Sequence, residues 1–159
     1  MEQVTINKQA RLSEHFTLGE MCKTSAKTAD GNNPSHVHIE NLKRLCRWLE
    51  LLRSRWNMMY GEGNDPIIIN SGYRSTLVNK AVDGAATSNH LTGCAADIRV
   101  SGQEQLIRYA AILLDISDET GEDFDELLLE RSPRGTCWLH FAVRPPEQGN
   151  RRKIRFIQA

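Results

Sequence analysis

The sequence predicts an α+β domain in which a mostly antiparallel sheet is covered on one face by helices. Apolar residues recur at three- and four-residue steps in about 35–59 and again in 102–116, which is typical of amphipathic helices. Two apolar runs, 126–130 and 137–143, flank turn residues and predict a hairpin. The predicted apolar faces are Leu42, Leu45, Cys46, Leu49, Leu52 and Trp56 in the first helix and Leu106, Ile107, Ala110, Leu113 and Leu114 in the second.

The remaining elements follow from local signals along the chain. Thr17 and Glu20 have the spacing of a capping box and mark a helix start. Residues 75–82 predict a short helix. Short strands are predicted at 66–70 and 95–100, because these runs are rich in apolar or β-branched residues. Residues 151–156 could add a final edge strand.

Length and charge limit the classes of protein to which the chain can belong. A chain of 159 residues fits one domain, here 1–159, with the polar residues 1–11 as an extended arm. Lysine and arginine number 20, as do aspartate and glutamate, so the net charge is zero. That balance argues against a nucleic-acid partner, because neutralising phosphates requires a basic excess.

No apolar run reaches the ~20 residues that span a bilayer, so no membrane partner is expected. The first residues lack the apolar core of a signal peptide, which predicts a protein that is cytoplasmic as synthesised. The cysteines Cys22, Cys46, Cys94 and Cys137 show no CxxC spacing and are expected to be free thiols. We expect a monomer.

Three residues, His90, Asp97 and His140, each stand in a context that requires a partner. Asp97 interrupts an apolar strand, where a carboxylate is costly to bury without a cation or hydrogen-bond donors. His140 lies in mid-strand on the face opposite Leu139 and Phe141. Because catalytic zinc sites use about three such side chains and keep one open position, the three predict a zinc site.

Each of the three residues also has an ordinary structural interpretation. Asp97 could cap or hydrogen-bond locally, and His90 and His140 could be core histidines. His36 and His38 could bind metal adventitiously, although their polar surroundings favour a solvated loop. The neighbouring sequence decides between these interpretations.

That neighbouring sequence contains three runs in a fixed order. Ser71-Gly72-Tyr73-Arg74-Ser75 comes first, the run 88–98 follows with Ser88, His90 and Asp97, and Trp138-Leu139-His140 comes last. The combination resembles the zinc D,D-peptidase family, which includes D-alanyl-D-alanine carboxypeptidases, D,D-dipeptidases and phage endolysins. The resemblance covers roughly 13–155. It implies the fold that this family shares with the hedgehog signalling domain.

The resemblance implies a role for each motif residue. His90, Asp97 and His140 would hold Zn²⁺. Arg74 would bind the substrate's C-terminal carboxylate or the carbonyl oxygen under attack, which suits the fork of a guanidinium. Ser88 would lie near the substrate peptide, with a turn or cap residue as the alternative. Tyr73 is placed on the substrate side, with packing as its alternative.

The general base is where the chain departs from the family pattern. Relatives place an acidic residue three or six positions before the last histidine, but here those positions hold Cys137 and Arg134. Glu130, at the end of the preceding strand, is the nearest candidate. If Ser132 to Thr136 form a longer hairpin tip, Glu130 would still lie across from His140, because hairpins absorb extra residues at the tip. The alternative is a salt-bridged strand-end glutamate.

The resulting prediction is a zinc peptidase that cleaves stem or cross-bridge peptides of peptidoglycan, as a D-Ala-D-Ala carboxypeptidase or endopeptidase. Glu130 and Arg74 would be its catalytic residues. A domain without a wall-binding module suits a phage or prophage lysin released to the cell wall through a holin. The alternative is a catalytically inactive zinc-binding module that binds the cell wall, or a phage structural component.

Overall fold

The protein, described here by a computed structural model over residues 7–158, is an α+β domain, as the sequence predicts. Its described helices are α1 (Leu18–Met21), α2 (His36–Met59), α3 (Thr76–Ala81) and α4 (Gln103–Thr120), with 3-10 helices at Asn89–Thr92 and Pro146–Gln148. Its described strands are β1 (Ile69–Ser71), β2 (Ala95–Arg99), β3 (Glu126–Arg131), β4 (Cys137–Ala142) and β5 (Lys153–Gln158). The likeness to the hedgehog fold stays a prediction.

The five strands form one mixed sheet in the order β1-β2-β4-β3-β5. The pairs β1–β2, β2–β4 and β3–β4 are antiparallel, but β3 and β5 are parallel. An antiparallel description therefore fails at this edge. The cause is the connection from β4 to β5, which returns the chain across the start of β3, where Lys153 N–H donates to the Asp125 carbonyl oxygen.

The apolar face of α2 packs on one face of the sheet together with α4. The predicted residues of α2 are buried, except that Trp56 is partly exposed. Trp48, which lies outside the predicted stripe, is also buried, and its ring centroid lies 5.2 Å from that of Phe141 and 6.4 Å from that of Phe124. These rings join α2 to β4 and to the residues before β3.

The prediction for α4 holds for most of its apolar face but is wrong for Ile107, which is 56% exposed. Tyr109, Ile112 and Ile116 are buried in addition. The helix is apolar around more than one side, so the three- and four-residue spacing alone cannot say which side meets the sheet. Ile107 lies at the outer side, beside the groove between α4 and β5.

The predicted N-terminal arm falls partly on residues 1–6, which lie outside the described residues. Residues 7–11 curl into a turn, and Arg11 forms a β-bridge with Thr17, the residue whose hydroxyl caps α1. The four cysteines are free, as expected. Within residues 7–158, no helix has the length and apolar character needed to cross a membrane.

The packing of α4 predicts a contrast between two of its residues. Leu113→Ala removes a fully buried side chain and should lower the free energy of unfolding by about 3 kcal/mol. Ile107→Ala on the outer side should cost less than about 1 kcal/mol. Urea unfolding with linear extrapolation measures both, and equal losses would contradict this orientation of α4.

Candidate metal centre

The sheet face opposite the helices carries two of the three predicted ligands. Strand pairing places Asp97 of β2 directly opposite His140 of β4. Side chains directly opposite one another in neighbouring strands point to the same face. Their neighbours Ile98, Leu139 and Phe141 point into the core, so the period-2 prediction for His140 is confirmed.

His90 reaches this face from the 3-10 helix Asn89–Thr92. The Ser88 hydroxyl caps that helix by accepting from the His90 backbone N–H. On the ring of His90, Nδ1 lies 2.7 Å from the carbonyl oxygen of Gly72. A carbonyl oxygen only accepts, so Nδ1 donates, and Nε2 is left with a lone pair. A Cβ at position 72 would lie 2.3 Å from the Met21 carbonyl oxygen, which explains the glycine there.

The donor atoms of His90, Asp97 and His140 lie within 4.8 Å of one another. Asp97 Oδ1 is 3.1 Å from His140 Nδ1 and 3.4 Å from His90 Nε2. Among the described residues, His90 Nε2 is buried and accepts no hydrogen bond. A buried lone pair beside a carboxylate calls for a cation, and two imidazoles with one carboxylate form a donor set that suits zinc. The three residues therefore fit a divalent metal.

The electrostatics of the cluster are dominated by its carboxylates. Burial alone would raise the pKa of Asp97, but the hydrogen bond and the positive charge of His140 hold it well below its usual range. Burial alone would lower the pKa of His140, but hydrogen bonds to Asp97 and Glu126 raise it to about 9. The site thus concentrates negative charge and stabilises positive charge.

Arg74 lies beside the cluster, and three side chains hold its guanidinium. Nε donates to Ser71 Oγ at 3.1 Å and Nη1 to Asn79 Oδ1 at 3.1 Å, while Nη2 is 3.4 Å from Asp97 Oδ2. A guanidinium has five N–H groups, so two remain for another oxygen. A Cβ at Gly84 would lie 2.0 Å from the same Asn79 oxygen, so that glycine leaves room for the contact.

Tyr73 does not join this group. Its side chain is 5% exposed, and its ring stacks on His38 with 4.8 Å between centroids. His38 belongs to the capping box of α2, where its Nδ1 accepts from the Ser35 N–H, and the expected solvated loop is therefore wrong. Tyr73 packs under the strand end from which Arg74 projects, in keeping with the packing alternative.

Glu130 lies on the sheet face that carries Asp97 and His140, but the expected pairing of Glu130 with His140 is wrong. The hairpin tip comprises 132–136, as expected, but closing it pairs Arg131 with Cys137. Glu130 therefore pairs with Trp138, and Leu128 pairs with His140. The Glu130 carboxylate accepts from the Trp138 indole N–H at 2.9 Å. Burial raises the pKa of Glu130, and the negative charge of Asp97 also raises it, although His140 acts in the opposite direction.

The structure adds a second glutamate that sequence reasoning missed. Glu126 Oε1 lies 2.9 Å from His140 Nε2 and accepts from Asn89 Nδ2 at 2.7 Å. The same Asn89 nitrogen lies 2.8 Å from Asp125 Oδ2. The only sequence signal is that Asn89 adjoins His90 and that two acidic residues open a strand. Asn89 precedes Asp125 by 36 residues and Glu126 by 37, so only the fold brings these side chains together.

Fold and site thus define an α+β domain with a three-residue metal-binding cluster on one sheet face. Comparison with known proteins identifies its family. Peptidase M15 matches residues 14–118, about two thirds of the chain, including Arg74, His90 and Asp97. The chain belongs to the peptidase M15 family, which supports the predicted class of metallopeptidase.

A similarity to one curated protein is confined to a short segment. Over 46 residues, the chain is 41% identical to a zinc D-Ala-D-Ala carboxypeptidase from Streptomyces albus G. The aligned segment is 29% of this chain and spans 18% of the length of that relative. The similarity supports the zinc D,D-peptidase resemblance found in the sequence motifs.

Asp125 yields a prediction about acid stability. Its carboxylate is fully buried and bound by Arg151 and Asn89. Burial alone would raise the pKa of Asp125, but these hydrogen bonds lower it to about 2 from an ordinary 3.8. The carboxylate therefore stabilises the fold above pH ~4, and this contribution is lost as the pH falls toward 2.

We expect Asp125→Asn to reduce the free energy of unfolding by about 3 kcal/mol at pH 7, because Arg151 would lose its buried partner. The difference from the unmodified protein should shrink between pH 4 and 2. Urea unfolding at several pH values measures it. Asp118→Asn, which removes an exposed ion pair with Arg152, is the control and should cost less than about 1 kcal/mol. A difference independent of pH would contradict the account.

Proposed function

We propose that this protein is a zinc peptidase that cleaves peptide bonds in the stem or cross-bridge peptides of peptidoglycan. The observation that carries the proposal is the convergence of His90 Nε2, Asp97 Oδ1 and His140 Nδ1 on one sheet face, beside a held guanidinium and a partly buried glutamate. Metal-assisted hydrolysis requires metal ligands, a positively charged group that binds the substrate oxygen, here Arg74, and a proton carrier, here Glu130.

The predicted zinc cofactor is confirmed by the family and by the relative's name, together with the His-Asp-His cluster. In the proposed site, His90, Asp97 and His140 are the zinc ligands. When bound, zinc supplies Lewis-acid chemistry, which makes water a competent nucleophile near neutral pH and polarises a carbonyl group.

Glu130 is proposed as the proton carrier. Its carboxylate accepts the proton of the attacking water and passes it to the leaving amine as the C–O bond forms and the C–N bond breaks. Burial raises the pKa of Glu130, which favours a group that must both accept and return a proton near neutral pH. Trp138 orients the carboxylate by donating its indole N–H.

Arg74 and Ser88 are proposed to contact the substrate. The two free N–H groups of Arg74 can bind either the C-terminal carboxylate or the carbonyl oxygen under attack. The Ser88 oxygen already accepts from the His90 N–H, so its own hydroxyl hydrogen is free to donate to a peptide carbonyl. Tyr73 is proposed to support Arg74 from below through packing.

The setting proposed for this activity is a lysin, with release to the cell wall through a phage holin. The substrate bond is a D-Ala-D-Ala bond or a neighbouring stem or cross-bridge bond. A carboxypeptidase needs the free carboxylate for Arg74, whereas an endopeptidase presents only a carbonyl oxygen there. The protein is proposed to act as a monomer, without nucleic-acid partners.

Mass spectrometry of purified peptidoglycan after digestion by the zinc-loaded protein tests the function and names the bond. A carboxypeptidase releases free D-alanine and leaves cross-links intact, whereas an endopeptidase converts cross-linked fragments into monomers. The proposal predicts one of these patterns, and its loss after zinc is removed with a chelator. Intact fragments from the zinc-loaded protein would contradict the peptidase proposal and leave an inactive wall-binding module.

Glu130→Gln should lower the rate of cleavage by roughly 10²–10⁴-fold, because the amide cannot carry the proton. Bound zinc should be unchanged, since Glu130 is not among the proposed ligands. Cleavage rates and metal content are measured on the same preparations, with the exposed Glu104→Gln as the matched control. A Glu130→Gln protein as active as the control would remove Glu130 from the mechanism.

A further inference from the structure

We infer that Glu126 is a positioning residue that holds His140 through its Nε2 atom and strengthens it as a metal ligand. This inference rests on the proposed function, because it takes His140 Nδ1 as the ligand atom. It adds a residue to the site that lies outside the three sequence motifs. Four contacts between described residues carry it.

The first two contacts concern the two ring nitrogens of His140. Nδ1 lies 3.1 Å from Asp97 Oδ1, inside the donor cluster, and Nε2 lies 2.9 Å from Glu126 Oε1. An imidazole that offers the Nδ1 lone pair to a metal carries its proton on Nε2 and must donate it. Glu126 accepts that hydrogen bond, so it selects both the ring orientation and the tautomer.

The other two contacts hold Glu126 itself in place. Asn89 Nδ2 donates to Glu126 Oε1 at 2.7 Å, and Arg144 Nε donates to Asn89 Oδ1 at 3.0 Å. Asn89 is buried, and the Asp125 carboxylate beside it is fully buried and bound by Arg151. The orientation of His140 is therefore tied to the connection between β4 and β5, which supplies both arginines.

Glu126 and Glu130 lie on the same face of β3 and have different proposed roles: Glu126 positions His140, and Glu130 carries the proton. The nitrogens of an imidazole ring point in divergent directions, so Glu126, bound to Nε2, lies behind His140 as seen from the donor cluster. Its other oxygen, Oε2, is 3.8 Å from Arg151 Nη2. Glu130 instead has only the Trp138 indole as a hydrogen-bond donor among the described residues, which leaves its second oxygen free for a proton.

A carboxylate behind a ligating imidazole makes that imidazole a stronger donor, because it draws the Nε2 proton away from the ring. Loss of such a partner typically weakens metal binding by about 10–100-fold. Glu126→Gln keeps an acceptor oxygen at the same place and removes the charge. Glu126→Leu removes both the charge and the acceptor.

Zinc affinity, measured by competition with a chromogenic chelator on the folded proteins, tests the inference. We expect affinity to fall about 10-fold in Glu126→Gln and about 100-fold in Glu126→Leu. The matched control is Glu130→Gln, which makes the same carboxylate-to-amide change on the same strand face and should bind zinc like the unmodified protein. Cobalt substitution adds a spectroscopic measurement, since the visible bands should shift in Glu126→Gln but not in Glu104→Gln, whose carboxylate is exposed on α4.

The possible failures are distinguishable. If the unmodified protein binds zinc and both Glu126 variants bind it equally well, the inference is wrong and the proposed function stands. Equal losses in Glu126→Gln and Glu130→Gln would also overturn it, since the effect would then follow from charge on this face. If the unmodified protein binds no zinc, the proposed metal site fails and the inference fails with it. Should Glu126→Leu not fold, Glu126→Gln and the cobalt spectra decide.

Discussion

The carboxylate of Asp97 lies at the centre of β2, an interior strand of the sheet, and the opposite face of that sheet packs against the hydrophobic core. A carboxylate there needs a positively charged partner, since burying an unpaired charge costs several kcal/mol of desolvation free energy. Its two oxygens divide this task. Oδ1 faces the two histidines, and Oδ2 faces Arg74. The oxygen that would bind metal is thereby separated from the one that orients the substrate-side cation.

The sheet serves the site through its two unlike faces. Leucines and aromatic rings of β3 and β4 pack under α2 and α4, and this packing makes the strands rigid. Residues one position away in each strand are then fixed on the opposite face, with Asp97 against His140 and Glu130 against Trp138. A catalytic group on a packed strand is held more precisely than one on a loop. His90, the exception, is instead held by Gly72 and Ser88.

Elements with strong periodicity could be predicted from the sequence. The apolar face of α2 and the alternation around His140 depend only on residues that are near in sequence. They therefore correctly predicted which residues of α2 are buried and on which face of the sheet His140 lies. Asp97 was identifiable because a carboxylate in an apolar strand needs a partner. The hairpin tip at 132–136 could be predicted from its turn residues, but the expected partner of Glu130 was wrong, because counting back from that tip pairs Glu130 with Trp138 and not with His140.

Glu126 was missed for a related reason. Its partners Asn89 and His140 are 37 and 14 residues away, and nothing near Glu126 in the sequence marks the meeting. The parallel edge strand has the same cause, since its direction follows from a connection anchored by Asp125. Tyr73 shows the converse: its place in a motif suggested the substrate, but its ring is used in packing on His38.

Anomalous diffraction from crystals grown with zinc would test the central claim most directly. Difference maps from data collected on either side of the zinc absorption edge should show one strong peak, about 2.0–2.2 Å from His90 Nε2, Asp97 Oδ1 and His140 Nδ1. The Nε2 atom of His140 should remain bound to Glu126. A map without a peak at these atoms, or with zinc bound through His140 Nε2, would contradict the account.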